Sequence, residues 1–404
     1  MLISSIARFV RDVGLAEDLA QDALLAALEA WPRSGIPDRP GAWLMLTAKR
    51  RALDRLRRAE RLTEKTAELT REFEARAALA TADIDAVSED EIKDDRLRLV
   101  FIAAHPALLT EARVALTLRL VGSLSTEEIA RAFLLPVATV AQRIVRAKRT
   151  LSEAHVPFEV PIGADRVARV ASVLDVLYLI FNEGYAATAG ADWMRPELCE
   201  HALRMGRALA ELVPDEPEVH GLVALMEIQA SRLRARTSPS GEQILLLDQD
   251  RSKWDRLAIA RGLTALARAT DPTGARGPYT LQAAIAACHA RASVAAQTDR
   301  HAIVALYDAL AQLTHSPVVE LNRAVAVGMA FGAEAGLELV DALRDQSALE
   351  RYHLVASVRA HFFFELERFD EAASEYERAA ALTQNAREQN VLLARAALAR
   401  GSRT

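Results

Sequence analysis

An all-α fold is what the 404-residue sequence predicts, on three observations. Ala, Leu, Arg and Glu, the residues that lose least on entering a helix, dominate the composition. Gly (17) and Pro (14) are scarce and aromatic residues make up only 5%, a poor supply for the turns and pleated faces of a β-sandwich or barrel. Apolar residues recur at three- and four-residue spacing through most of the chain. With 51% hydrophobic and 26% charged residues the chain can build substantial cores, which excludes wholesale disorder, and its length suits two or three domains. Cys199 and Cys288 are the only cysteines, so neither a disulfide framework nor a cysteine zinc site is expected. The histidines show no HxxxH or HExxH spacing, and no metal or cofactor is predicted. Arg8, Arg11 and Asp12 interrupt the first residues, and no uncharged apolar run of about 18 residues occurs. The expectation is a cytoplasmic protein with no membrane partner.

In chain order, Leu15, Leu19, Ala23 and Ala27 fall on one side of a first helical segment, with Asp18, Gln21, Asp22 and Leu25 opposite. Pro32, Gly35, Pro37, Pro40 and Gly41 break it. The next helix carries Trp43, Leu44, Leu46, Ala48, Ala52, Leu53 and Leu56 on its apolar side, and its polar side is almost wholly Lys and Arg. From Lys49 to Arg61 the net charge is +5, and from Thr63 to Asp95 it is −7 with few bulky apolar residues. That acidic stretch, 63–95, reads as a linker between a unit at 1–62 and a second compact unit at 96–153.

The second unit ends in a helix-turn-helix pattern. Ser125-Thr126-Glu127-Glu128 has the form of a capping box opening a short helix. Pro136 breaks the chain and can start the next helix without needing an amide. Val137, Val140, Ala141, Ile144, Ala147 and Leu151 form the buried stripe of that helix, leaving Thr139, Gln142, Arg143, Arg146 and Arg149 on the exposed face. A helix entering the major groove needs this order, short polar residues near its N-terminus and Arg further along. An ordinary helical hairpin with a charged face would lack the coincidence of cap, break, stripe and basic face.

Taken together, Ala16–Pro32 (AEDLAQDALLAALEAWP), Ala42–Arg58 (AWLMLTAKRRALDRLRR) and Leu124–Leu151 (LSTEEIARAFLLPVATVAQRIVRAKRTL) resemble a sigma-70-type RNA polymerase sigma factor. Their layout is that of the extracytoplasmic-function (ECF) group. Tyr178–Tyr185, Asp248–Asp255, Gly277–Ala290 and Leu321–Val327 resemble the ECF subgroup with a C-terminal helical extension containing tetratricopeptide repeats. The resemblance implies a non-enzymatic factor that binds core RNA polymerase, through its β′ coiled coil and β flap, and promoter DNA. It assigns Asp18, Gln21 and Asp22 to the β′ coiled coil. Trp43, Lys49, Arg50, Arg51, Arg55, Arg57 and Arg58 fall to the −10 element, and Thr139, Gln142, Arg143, Arg146 and Arg149 to the −35 element. The acidic linker would thread the polymerase cleft. Two departures stand out: the Ala16 motif begins so near the start that the usual first helix is expected to be truncated, and Leu134 stands where many family members carry Gly.

The remainder, 160–404, reads as a helical extension. Ala360, Phe363, Ala372, Tyr376 and Ala379 match the small and aromatic positions of a 34-residue tetratricopeptide unit, and Ala324, Val327, Gly336, Val340 and Leu343 an earlier copy, placing repeats near 318–400 and a surface for a protein partner. Asn182, Glu183, Tyr185, Asp248, Asp250, Arg251 and Asp255 make a polar cluster between apolar helices. Its carboxylates could perform acid–base chemistry or hold a hard cation. The favoured reading is a buried network fixing helix packing, with Arg251 neutralising part of the charge. A tetratricopeptide scaffold with a vestigial sigma-like DNA-binding region is the alternative to a working sigma factor.

Overall fold

The computed structural model describes residues 2–10, 12–60, 89–133, 135–187, 194–238, 244–270, 276–343, 346, 349–350 and 352–402, without the side chains of 56–60 and 89–94. Among these residues the regular structure is helical, as the composition predicts. The chain divides into two compact units, Met1–Val176 and Leu177–Thr404.

The first unit begins with α1 (Leu2–Val10), where the sequence reading expects a truncated helix. Short as it is, α1 buries Ile6 and Ala7 and packs on its neighbours α2 (Val13–Ser34), α3 (Pro40–Glu60) and α4 (Glu89–Ala103). Asp12 caps α2, accepting the amide of Leu15 at 2.8 Å. Gly35, at φ 81°, ends α2 in a conformation that a side chain would resist. Most of the acidic linker, residues 63–88 of 63–95, lies outside the described residues, and α4 starts within its last part. Asp95, the last residue of that acidic stretch, is fully buried and pairs with Arg98 at 2.8 Å and with Arg8.

α5 (Thr110–Leu120), α6 (Thr126–Ala132) and α7 (Val137–Glu153) complete the helix-turn-helix unit. α8 (Gly163–Tyr185) crosses the division between the two units. Its first half belongs to the first unit. There the Ser172 hydroxyl donates to the Ala104 carbonyl at 2.5 Å and accepts from Arg113 at 2.7 Å, and Arg169 donates to the Phe101 carbonyl.

The second unit continues through α9 (Pro196–Leu212), α10 (Pro217–Ala230), α11 (Arg256–Arg268) and α12 (Pro278–Arg291). α13 (Arg300–Thr314), α14 (Pro317–Phe331), α15 (Ala333–Ala342), α16 (His353–Glu365), α17 (Phe369–Leu382) and α18 (Ala386–Gly401) follow. Pro stands in the first turn of α9, α10, α12 and α14, where its missing amide costs nothing. α10 is apolar almost all round and is the central helix, packed by α9, α11 and α12. Successive hairpins α14–α15 and α16–α17 then stack, with α18 against α17. Ala324, Val340, Ala360, Ala372, Tyr376 and Ala379 lie buried in their seams. Gly328 and Gly336 lie so close to the Phe362 ring that a Cβ at either would overlap it.

Candidate nucleic-acid interface

The capping box forms as its sequence requires: Ser125 Oγ accepts the Glu128 amide at 3.1 Å while Glu128 Oε2 accepts the Ser125 amide at 2.7 Å. Leu134, in the turn, lies outside the described residues. α7 buries Val140, Ile144, Ala147 and Leu151. Gln142, Arg146 and Arg149 are exposed, with Thr139 and Arg143 half-buried at the edges of the same face. Arg149 is engaged by Glu153 at 2.6 Å, whose hydrogen bond and charge raise the guanidinium pKa further. Two assignments to the buried stripe change. Val137 is 44% exposed because it opens the helix one turn before the first core contact at Val140, and Ala141 is only half-buried. Val145 stands exposed on α7 between Arg143 and Arg146, an apolar group of the kind that meets a thymine methyl.

On α3, Arg50 and Arg55 are exposed and Arg51 is half-buried; the side chains of Arg57 and Arg58 lie outside the described residues. Trp43 is half-buried, edge-on to Trp31 with ring centres 5.6 Å apart. Lys49, grouped with the −10 residues, is instead 8% exposed, its ammonium 5.4 Å over the Phe9 ring. It shares the inner face of α3 with Ala48 and Ala52, and burial together with Arg8 lowers its pKa. A Lys in that position packs the fold rather than meeting a phosphate.

The acidic face of α2 sits against this basic helix. Asp22 pairs with Arg55 at 2.9 Å and with Arg51 at 3.6 Å, and Asp18 lies 3.8 Å from Arg55. The fold therefore joins two residue sets that the sequence separates. Beside them Leu24, Leu25 and Leu28 are exposed, Leu28 by 72%, giving an apolar strip next to Asp18, Gln21 and Asp22. The sequence signal for it was a helix too rich in Leu for a single buried face.

Glu17, next to Asp18, is the residue that sequence reasoning missed. It is 3% exposed, accepts from Arg119 of α5 at 2.7 Å and pairs with Lys148 of α7 at 2.6 Å. Burial raises its pKa, but Lys148 and Arg119 outweigh that and hold it below the ordinary glutamate value. Its signal was a carboxylate on a helix face otherwise made of Val13, Ala16 and Ala20. The turn of α2 that carries the acidic set is thus bound to the helix that carries Gln142 and Arg146.

The polar cluster of the extension is not one site. Asn182, Glu183 and Tyr185 lie in the last turn of α8, and Glu183 pairs with Arg195. Asp250 caps a short 3₁₀ turn through Ser252, Asp255 caps α11, and Asp248 is exposed. Arg251 neutralises none of them: it is buried and donates to the carbonyls of His289 and Ala292. Among the described residues no group of acids, His or Cys is placed to hold a metal. Among the same residues no helix is long and apolar enough to cross a membrane.

Comparison with known proteins divides the chain in the same order. Residues 1–62 match the family described as Sigma-70 region 2, residues 98–151 that described as Sigma-70, region 4, and residues 169–270 a family of unknown function. An uncharacterized protein of Rhizobium meliloti is 42% identical over 96% of this chain and 90% of its own length. The RNA polymerase sigma-H factor of Pseudomonas aeruginosa is 32% identical over 39% of this chain and 81% of that protein. The probable ECF RNA polymerase sigma factor SigI of Mycobacterium tuberculosis is 27% identical over 50% of this chain and 73% of that one. No solved structure matches.

Proposed function

Because the chain belongs to the sigma-70 family of RNA polymerase sigma factors, we propose that it binds core polymerase and directs it to promoters read at a −10 and a −35 element. The observation that carries this reading is α7, a helix that starts after Pro136 with Gln142, Val145 and Arg146 exposed on one face and its apolar stripe held by α5 and the capped helix α6. Arg143 and Arg146 would contact bases or phosphates, Thr139 and Gln142 would act at the helix N-terminus, and Arg149 would follow once released from Glu153. Arg50, Arg51 and Arg55, beside Trp43, would hold the −10 DNA. Asp18, Gln21 and Asp22 would meet a basic surface of the β′ coiled coil, with Leu24, Leu25 and Leu28 supplying the apolar part of that interface. The chain makes no bond itself; polymerase does.

The contact through Glu17 must part for this work. A compact unit of 176 residues has a radius of gyration on the order of 16 Å. Two promoter elements about 25 base pairs apart lie roughly 85 Å apart on straight B-DNA at ~3.4 Å per pair. A unit in which α2 and α7 are joined cannot reach both. Binding of polymerase to the α2 face would compete for Asp18 and Asp22, free Arg51 and Arg55 for DNA, and pull Glu17 from Lys148. The acidic linker would then run through the basic cleft. We assign the stacked hairpins α14–α17 to the tetratricopeptide class on the burial of their small-residue seams, and give the extension the role of modulating initiation or holding a protein partner. Gel filtration with purified core polymerase tests the reading: the chain should co-elute with core, and separate elution would reject it.

A further inference from the structure

The extension buries a group of arginines. Arg232, Arg236 and Arg251 are each less than a tenth exposed. Arg236 lies 3.5 Å over the Tyr185 ring and donates to the Tyr185 carbonyl. Arg251 donates to the carbonyls of His289 at 2.6 Å and Ala292 at 2.7 Å and to Thr298 Oγ1 at 3.3 Å. Arg232 lies 5.8 Å from the Tyr185 ring centre and 5.9 Å from that of Trp254, and its buried Nε has no hydrogen-bond partner. Among the described residues neither Arg232 nor Arg251 has an ion pair, because the neighbouring acids Asp250 and Asp255 cap helices instead. Buried cations without a counter-charge are costly, and a buried donor without a protein partner is open to a water, an ion or a ligand.

Two more buried nitrogens in the same cluster are unpaired, Trp254 Nε1 and His289 Nδ1. Burial, with a further push from the charges of Arg232 and Arg251, lowers the His289 pKa to about 4, so its ring is neutral at pH 7. His289 and Thr298, the two residues that Arg251 grips, form part of the wall of a groove of about 830 Å³. Leu245, Leu247, Ile303 and Phe362 give it apolar surface, and Arg300 and Arg395 add two cationic side chains to its lining. Asp248 and Glu365 also line it, and both are exposed. A positive corner behind an apolar groove is a site for one kind of molecule.

We propose that the extension binds an amphipathic organic anion, a carboxylate or phosphate on an apolar body. The charged group seats against His289 and Thr298 in front of Arg232 and Arg251, and the body lies along Leu245, Leu247 and Ile303. The test is calorimetric titration of the full chain with octanoate, octyl phosphate and the uncharged 1-octanol. One molecule of an anionic probe should bind per chain, saturably and about tenfold or more tighter than octanol, and the tighter of the two anions identifies the head group. Arg232→Met keeps the bulk and removes the charge; it should weaken the anion about tenfold and melt no lower than the parent, since it removes an uncompensated cation. Leu247→Asp, at an exposed position of the groove, should weaken the anion as much with the fold intact. Equal binding of octanol, no saturable binding of either anion, or an Arg232→Met chain that unfolds would each overturn the assignment.

Discussion

Replacing Glu17 by Gln removes one charge and almost no volume from the contact between α2 and α7. Its carboxylate lies 2.7 Å from Arg119 Nε and 2.6 Å from Lys148 Nζ. Breaking a fully buried ion pair costs about 3–5 kcal/mol. Here the two cationic side chains keep 24% and 20% of their exposure, so water softens the loss, and about 2–3 kcal/mol is the expected change. Glutamine retains a hydrogen bond to Arg119 but leaves Lys148 without its counter-charge. The readout is hydrogen exchange of the full chain in peptides from 13–34 and 137–153, which should quicken roughly 30- to 150-fold at pH 7. The pH dependence has a definite sign. The folded-state pKa of Glu17 is held down, so its stabilisation is complete above about pH 4.5 and fades as pH falls through the lower folded value. The variant should lack that acid-sensitive step. If the contact opposes promoter engagement, the variant should also bind core polymerase more tightly than the parent. Unchanged exchange in both segments, with unchanged core affinity, would refute the reasoning.

Asp22→Arg should abolish co-elution with core polymerase, since a like charge at a polar contact costs several kcal/mol, while the exposed pair it loses with Arg55 costs the fold about 1 kcal/mol or less. Arg146→Ala should weaken promoter binding by holoenzyme: a loss of about 1–3 kcal/mol confined to one −35 position marks a base contact, and a uniform loss with a shallower salt dependence marks a phosphate contact. Ser125→Ala should cost about 1 kcal/mol in thermal denaturation by unmaking the capping box. Truncation after Glu153 should lower the melting temperature of the first unit by several degrees, because Arg113 and the Ala104 carbonyl lose Ser172, each bond being worth about 1 kcal/mol.

Signals that act within one helix were legible in the sequence. The capping box at Ser125, the break at Pro136 and the buried positions Val140, Ile144, Ala147 and Leu151 depend only on residues a few positions apart, and each forms as read. What spacing alone could not tell was which helix each face would meet. Lys49 belongs by charge to the basic face of α3, yet α1 covers it. Glu17 pairs with residues about a hundred positions and more away, a relation without a local signature. Arg251 stands between three aspartates in the sequence and reads there as their counter-ion; Asp250 and Asp255 instead accept backbone amides, and the arginine donates to the carbonyls of His289 and Ala292 at the end of α12. Short polar side chains next to helix starts prefer capping to pairing, which is the physical reason that reading failed.

Run-off transcription with purified core polymerase on a library of promoter-bearing fragments tests the central claim most directly. Core enzyme supplemented with the full chain should yield transcripts from defined start sites that share a two-part upstream sequence, and those transcripts should vanish with Asp22→Arg. A chain that leaves the transcript pattern of core enzyme unchanged on every fragment would contradict the assignment of a sigma factor.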